Sequence, residues 1–206
     1  MANTRRAQPR SRTAPGHTVH RIKAVLRDSR PPVWRRLEVP SAVTLQQLHH
    51  IVQAAFGWED AHMWAFRTPK NRCRHRASRR EPTILSPDAT RLEQLAPRPD
   101  DRLSYLYDFG DCWEHSLRVE AVTHPEPGTA YPRCLTGRRA CPPEDSGGIR
   151  GYGYLLDVLA DPSHEEHEER LRRLGLDSAD QFDPAAFDLE RINAALAGCA
   201  AVPAGS

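Results

Sequence analysis

The stretch LSYLYDFGDCWEHSLRVEA, residues 103–121, decides the fold. Leu103, Tyr105, Tyr107 and Phe109 alternate with Ser104, Leu106 and Asp108, the two-residue period of a strand with one buried face. Gly110-Asp111 reads as a two-residue hairpin turn. Beyond it Trp113, His115, Leu117, Val119 and Ala121 form the apolar face of a long return strand. Cys112, Glu114, Ser116, Arg118 and Glu120 occupy its other face.

A second hairpin lies upstream. Ile22, Ala24 and Leu26 alternate with Arg21, Lys23 and Val25, the pair Pro31-Pro32 interrupts, and Val33, Arg35, Leu37 and Val39 alternate with Trp34, Arg36 and Glu38 until Pro40. Thr44 then fits a helix N-cap. Leu45, Leu48, Val52, Ala55 and Phe56 recur at helical spacing, and Gly57 stands where a helix ends in a left-handed residue. The run HMWAF, 62–66, predicts a short further strand.

Downstream, residues 124–151 read as an irregular Pro- and Gly-rich connection. Tyr154, Leu155, Val158 and Leu159 predict a short helix ending near Pro162. Ser163 is placed to cap a charged helix closing at Gly175, and Asp183-Pro184 to start a last helix carrying Phe187, Leu189, Ile192 and Leu196. The expectation is an α+β domain: an antiparallel or mixed sheet of two hairpins, one N-terminal helix and a C-terminal helical segment packed on it. It spans 18–197, between a disordered basic arm (1–17) and a flexible tail (198–206).

Composition sets outer bounds. The 206 residues suit one domain, 39% of them are hydrophobic, and the net charge is only +2. There is neither an apolar run long enough for a membrane nor a secretory leader, so a cytoplasmic protein with no membrane partner is expected. The five cysteines, Cys73, Cys112, Cys134, Cys141 and Cys199, are then free thiols. The small net charge hides basic segments. The arm carries Arg5, Arg6, Arg10 and Arg12, and the 67–80 loop carries Arg67, Lys70, Arg72, Arg74, Arg76, Arg79 and Arg80. A solvated surface is the plain reading. The functional one is phosphate contact, with Arg72, Arg74, Arg76, Arg79 and Arg80 as nucleic-acid residues.

Chemistry-bearing residues gather in two places. Around the hairpin turn stand Asp108, Asp111 and His115, which in convergence bind a divalent metal or exchange protons. The plain alternative is that the aspartates bond the turn's own backbone and the histidine is core. In the loop, Glu144-Asp145-Ser146-Gly147-Gly148 brings two acids, a hydroxyl and two glycines. The acids complete a pocket with Asp111 and His115, and Ser146, Gly147 and Gly148 form an anion-binding nest, or the segment merely caps the next helix. Cys134 and Cys141, separated by six residues, are spaced wider than a zinc knuckle usually shows; Cys112, His115 or His62 added to them makes the alternative of a four-ligand site. His164 and His167 lie on a charged helix face. No nucleophile elbow, phosphate loop, dinucleotide fingerprint or zincin motif is present.

YDFGDCWEHSLRVE (107–120) and CLTGRRACPPEDSGGIRGY (134–152) resemble the two signature stretches of the plasmid pRiA4b ORF-3-like family. LHHIVQAAFGWEDAHMWAF (48–66), DPSHEEHEERL (161–171) and FDPAAFDLERIN (182–193) agree in the same order, so the resemblance covers about 18–197. It implies a compact α+β domain, often encoded on plasmids, mobile elements or bacterial chromosomes, with no established activity. Some members bear a resolvase-like label as insertion-element passengers, which this hairpin-rich pattern does not support. The chain departs from the family at Ser146, where a cysteine is common, and at Trp64, where a second histidine is common. Each change removes a metal-ligating side chain.

The sequence therefore favours a non-enzymatic binding module, nucleic-acid-associated through the arm and the 67–80 loop. The alternative is a metal-assisted hydrolase or phosphoryl-processing enzyme using Asp108, Asp111, His115, Glu144 and Asp145. No motif fixes a cofactor; a divalent metal is the one that these residues suit.

Overall fold

A computed structural model describes residues 18–68 and 86–199. The arm, the tail and the positions Lys70, Arg72, Arg74, Arg76, Arg79 and Arg80 lie outside the described residues. Six strands form one sheet: β1 (Val19–Leu26), β2 (Trp34–Pro40), β3 (Trp64–Arg67), β4 (Arg102–Tyr107), β5 (Trp113–Thr123) and β6 (Arg133–Arg138). Their order is β3-β4-β5-β1-β2-β6, and every neighbouring pair is antiparallel. The two predicted hairpins join through β5 and β1.

The helices are α1 (Leu45–Phe56), α2 (Leu92–Leu95), α3 (Gly148–Ala160), α4 (His167–Leu174) and α5 (Leu189–Cys199). In α1, Thr44 Oγ1 accepts from Gln47 N–H and Gln47 Oε1 accepts from Thr44 N–H, a reciprocal capping box. Gly57 ends the helix at φ 83°. Leu45, Leu48, Ile51, Val52, Ala55 and Phe56 bury against Ile22, Ala24, Leu26, Leu37, Leu103, Tyr105, Leu117 and Val119 of the sheet. The alternate residues of these strands face away from α1.

Four expectations change. The 103–121 hairpin turns through five residues, Asp108–Cys112, because Tyr107 pairs with Trp113. Asp108 and Cys112 both take left-handed backbone, and Cys112 N–H donates to Asp108 O at 2.7 Å. The stretch 124–151 contains β6, which pairs with β2. Gly137 is admitted there because the Phe187 ring and the Trp34 carbonyl occupy the space of a Cβ. The next helix, α3, begins at Gly148, several residues earlier than its apolar spacing shows. The last two helices start later than predicted. Ser163 bonds Asp161 rather than capping α4, which begins at His167. Asp183 accepts from Ala185 in a turn of its own, leaving Asp188 to accept from Arg191 N–H at the head of α5. Asn193 of α5 accepts from Cys134 N–H (2.7 Å) and donates to Cys134 O (3.1 Å), so α5 holds β6 through its backbone.

Candidate metal centre

The β4–β5 turn and the PPEDSGG loop meet. Asp111 accepts from Gly147 N–H at 2.9 Å, and Gly148, at φ 68°, lies so close to the Asp111 carbonyl that a Cβ has no room. The predicted anion nest is thus partly filled by the chain's own carboxylate. Ser146 Oγ donates to Pro143 O, closing the loop on itself.

Onto this junction the segment after α1 delivers His62. Its Nε2 lies 3.1 Å from Asp145 Oδ1, 3.9 Å from Asp108 Oδ2 and 3.9 Å from Glu144 Oε2. That nitrogen is shut off from solvent and completes no hydrogen bond. Two of the three carboxylates have one oxygen anchored and the other turned to the imidazole. Asp108 Oδ1 accepts from Gly110 N–H at 2.8 Å. Glu144 Oε1 accepts from Tyr107 O–H (2.8 Å) and Glu59 N–H (2.7 Å). The Tyr107 phenol, pushed up by burial and by Glu144, stays a donor. Asp145 is exposed and held in left-handed backbone.

The donor atoms of His62, Asp108 and Asp145 lie within 4.8 Å of one another. A shell of ~2.1 Å bonds sets neighbouring donors ~3 Å apart, so a contraction of up to about two ångströms seats an ion. One imidazole with carboxylate oxygens and no thiolate suits Mn²⁺ or Zn²⁺. Cys112 stands outside, its Sγ–H donating to Phe109 O.

With this geometry the sequence can be placed among known proteins. The family model described as plasmid pRiA4b ORF-3-like protein matches residues 18–191. The chain belongs to the pRiA4b ORF-3-like family. It is 39% identical over 196 residues to the uncharacterized protein y4hQ of Sinorhizobium fredii (strain NBRC 101917 / NGR234), covering 89% of this chain and 93% of that one. A crystal structure of MM3350, a protein of unknown function from Methanosarcina mazei Go1, is similar at TM-score 0.72 and 35% identity. That match covers 84% of this chain and 96% of the other.

Of the site residues read from this pRiA4b ORF-3-like sequence, Asp108, Glu144 and Asp145 converge on His62, and Asp111 supports them through Gly147. His115 does not join them. It sits on the inward face of β5, fully buried among Phe56, Trp58 and Tyr105, with Nδ1 near Trp113 O. Burial drives its pKa down to about 3, so it is neutral core. His62 carries the weakest signal of the group: one histidine at the head of an apolar run, with no second ligand at close spacing. The family pattern GW-x-x-x-H, residues 57–62 here, marks it. A nearby trio, His49, His50 and Asp60, is committed elsewhere. His49 bonds Tyr105 O–H (2.7 Å) through Nδ1 and Asp60 (2.6 Å) through Nε2, tying α1 to β4. Cys112, Cys134, Cys141 and Cys199 are free thiols. Among the described residues no helix is long and apolar enough to cross a membrane.

Proposed function

We propose that this family member is a metal-assisted hydrolase acting on phosphate esters, with His62, Asp108, Glu144 and Asp145 holding one divalent cation. The observation that carries the reading is the convergence of three carboxylate groups within 3.9 Å of the solvent-shielded His62 Nε2, which lies 3.1 Å from Asp145 Oδ1 without the alignment of a hydrogen bond. An unsatisfied buried imidazole nitrogen costs ~1–3 kcal/mol, which coordination offsets. Four ligands leave positions for water on an octahedral ion, and a bound ion supplies Lewis acidity and an acidified water. The chain's own part is to aim the ligands: Tyr107 and Glu59 orient Glu144, and Gly110 orients Asp108.

The non-enzymatic nucleic-acid reading draws on the basic arm and the 67–80 loop, and both the arm and Arg72, Arg74, Arg76, Arg79 and Arg80 lie outside the described residues. The test is hydrolysis of p-nitrophenyl phosphate and bis(p-nitrophenyl) phosphate by the full chain, with Mn²⁺, with Zn²⁺ and after chelation. The expected result is turnover that needs the ion and falls at least about 100-fold in His62→Ala, because a site without its one imidazole no longer holds the ion. Turnover indifferent to metal and to His62, or none with any ion, overturns the reading.

A further inference from the structure

The sheet face turned away from α1 carries an arrangement that folding alone does not favour. Arg102 of β4 lies directly opposite Arg118 of β5, Arg118 opposite Lys23 of β1, and Lys23 opposite Arg36 of β2. Four cations thus form one row across four strands, spanning three strand intervals, or ~14 Å. Like charges directly opposite one another destabilise a sheet. Two members are partly compensated: Arg36 pairs with Glu120 and Arg118 with Asp100. Lys23 lies over the Trp34 ring, and neither Lys23 nor Arg102 forms an ion pair among the described residues. The same face adds Arg21, Arg27, Arg67 and Arg133 against Glu38, Glu114 and Glu120, with Asp100 and Glu126 reaching it from flanking loops, so cations still exceed acids.

At its Arg102 end the row runs into a cavity of about 310 Å³ lined by Arg27, Arg67, Thr68, Arg102, Leu103, Ser104, Glu114 and Ser116. Its one carboxylate, Glu114, is already engaged by Arg27 (2.9 Å) and Ser104 (2.5 Å). That leaves Arg67 and Arg102 as charge, and Ser116 and Thr68 as hydroxyl donors. These are the groups that hold a phosphate.

We propose that this face binds the sugar-phosphate backbone of a single-stranded nucleic acid, one phosphate seated in the Arg67–Arg102 cavity and its neighbours lying along the cation row. The row is too long for a mononucleotide and matches a chain of evenly spaced charges. The helices pack on the opposite face, so within the described residues this face offers no helix to enter a duplex groove. The phosphates relieve the cross-strand repulsion that the Arg36–Glu120 and Arg118–Asp100 pairs leave. This site is separate from the His62 centre and stands or falls without it.

The experiment is fluorescence anisotropy of a labelled DNA single strand, and of the RNA strand of the same sequence, over a salt series. It compares the wild-type chain with the Lys23→Gln/Arg67→Gln/Arg102→Gln variant. None of the three pairs with a described carboxylate, so their loss leaves no acid orphaned. The wild type is expected to bind, with affinity falling linearly on a log–log salt plot. The variant loses ~2 from that slope, ~0.7 per phosphate contact, and melts no lower than wild type because the repulsion is relieved. DNA and RNA binding alike indicates backbone recognition alone; a preference for RNA adds contact with the 2′-hydroxyl. The Arg67→Lys/Arg102→Lys chain keeps the charge and the slope. An unchanged slope in the Gln variant, a Lys variant that falls with it, poly-glutamate bound as tightly as the strands, or no binding at low salt overturns the proposal.

Discussion

His115 and His62 approach the same hairpin and end in opposite states. His115 belongs to the inward set of β5, and its neutral form is the only one the core tolerates. Below an ordinary value near 6.5 the unfolded chain takes up a proton that the fold refuses. Stability is therefore complete above pH 6.5 and declines as pH falls toward 3, by ~1.4 kcal/mol per pH unit for this residue. His20 and His49, lowered by burial as well, act in the same direction. Urea midpoints measured from pH 7 to pH 4 are expected to fall steadily, and less steeply in His115→Gln; parallel profiles for the two chains contradict the assignment. The alternation of β5 foretold this, since His115 shares its parity with Trp113 and Leu117. No such pattern exposed His62, because what surrounds it comes from two distant loops.

Among the elements, β1, β2, α1 and the β4–β5 hairpin are legible because their signals are local: alternation, a capping residue and a terminal glycine. The stretch holding β6 is not, since its glycine and flanking prolines read as loop and its pairing partner, β2, lies about 100 residues earlier. The length of the five-residue turn is hidden for a related reason. Gly110 marks a turn but takes no left-handed backbone, which falls instead on Asp108 and Cys112. The docking of this turn on the PPEDSGG loop depends on Gly148. Gly148→Ala adds a Cβ against the Asp111 carbonyl at positive φ, at a cost of ~1–2 kcal/mol for backbone alone. The melting temperature is expected to fall by ~2–8 °C, with weakened metal binding. An unshifted melt shows that the two loops are not clamped as described.

On the scale of the whole molecule, a single antiparallel sheet has helices against one face, and the charge is sorted onto the other. A net charge of +2 conceals that sorting, and only the register reveals that Arg102, Arg118, Lys23 and Arg36 stand in line. The edge at β6 is held by α5 through Asn193. Asn193→Ala removes two hydrogen bonds to the Cys134 backbone, and ~1–3 kcal/mol is the expected loss in a chemical denaturation curve. A loss near zero means that β6 is held by its pairing with β2 alone.

The central claim is that His62, Asp108, Glu144 and Asp145 hold a metal, and elemental analysis of the purified, untagged full chain tests it most directly. The comparison is Asp108→Asn/Asp145→Asn, since asparagine tolerates the left-handed backbone at both positions and keeps the turn's bond to Gly110 while removing two charges. The account predicts close to one equivalent of Mn²⁺ or Zn²⁺ after incubation and desalting of the wild type, and its loss from a variant that still folds. A wild type that retains no divalent ion, or a variant that retains as much, contradicts it.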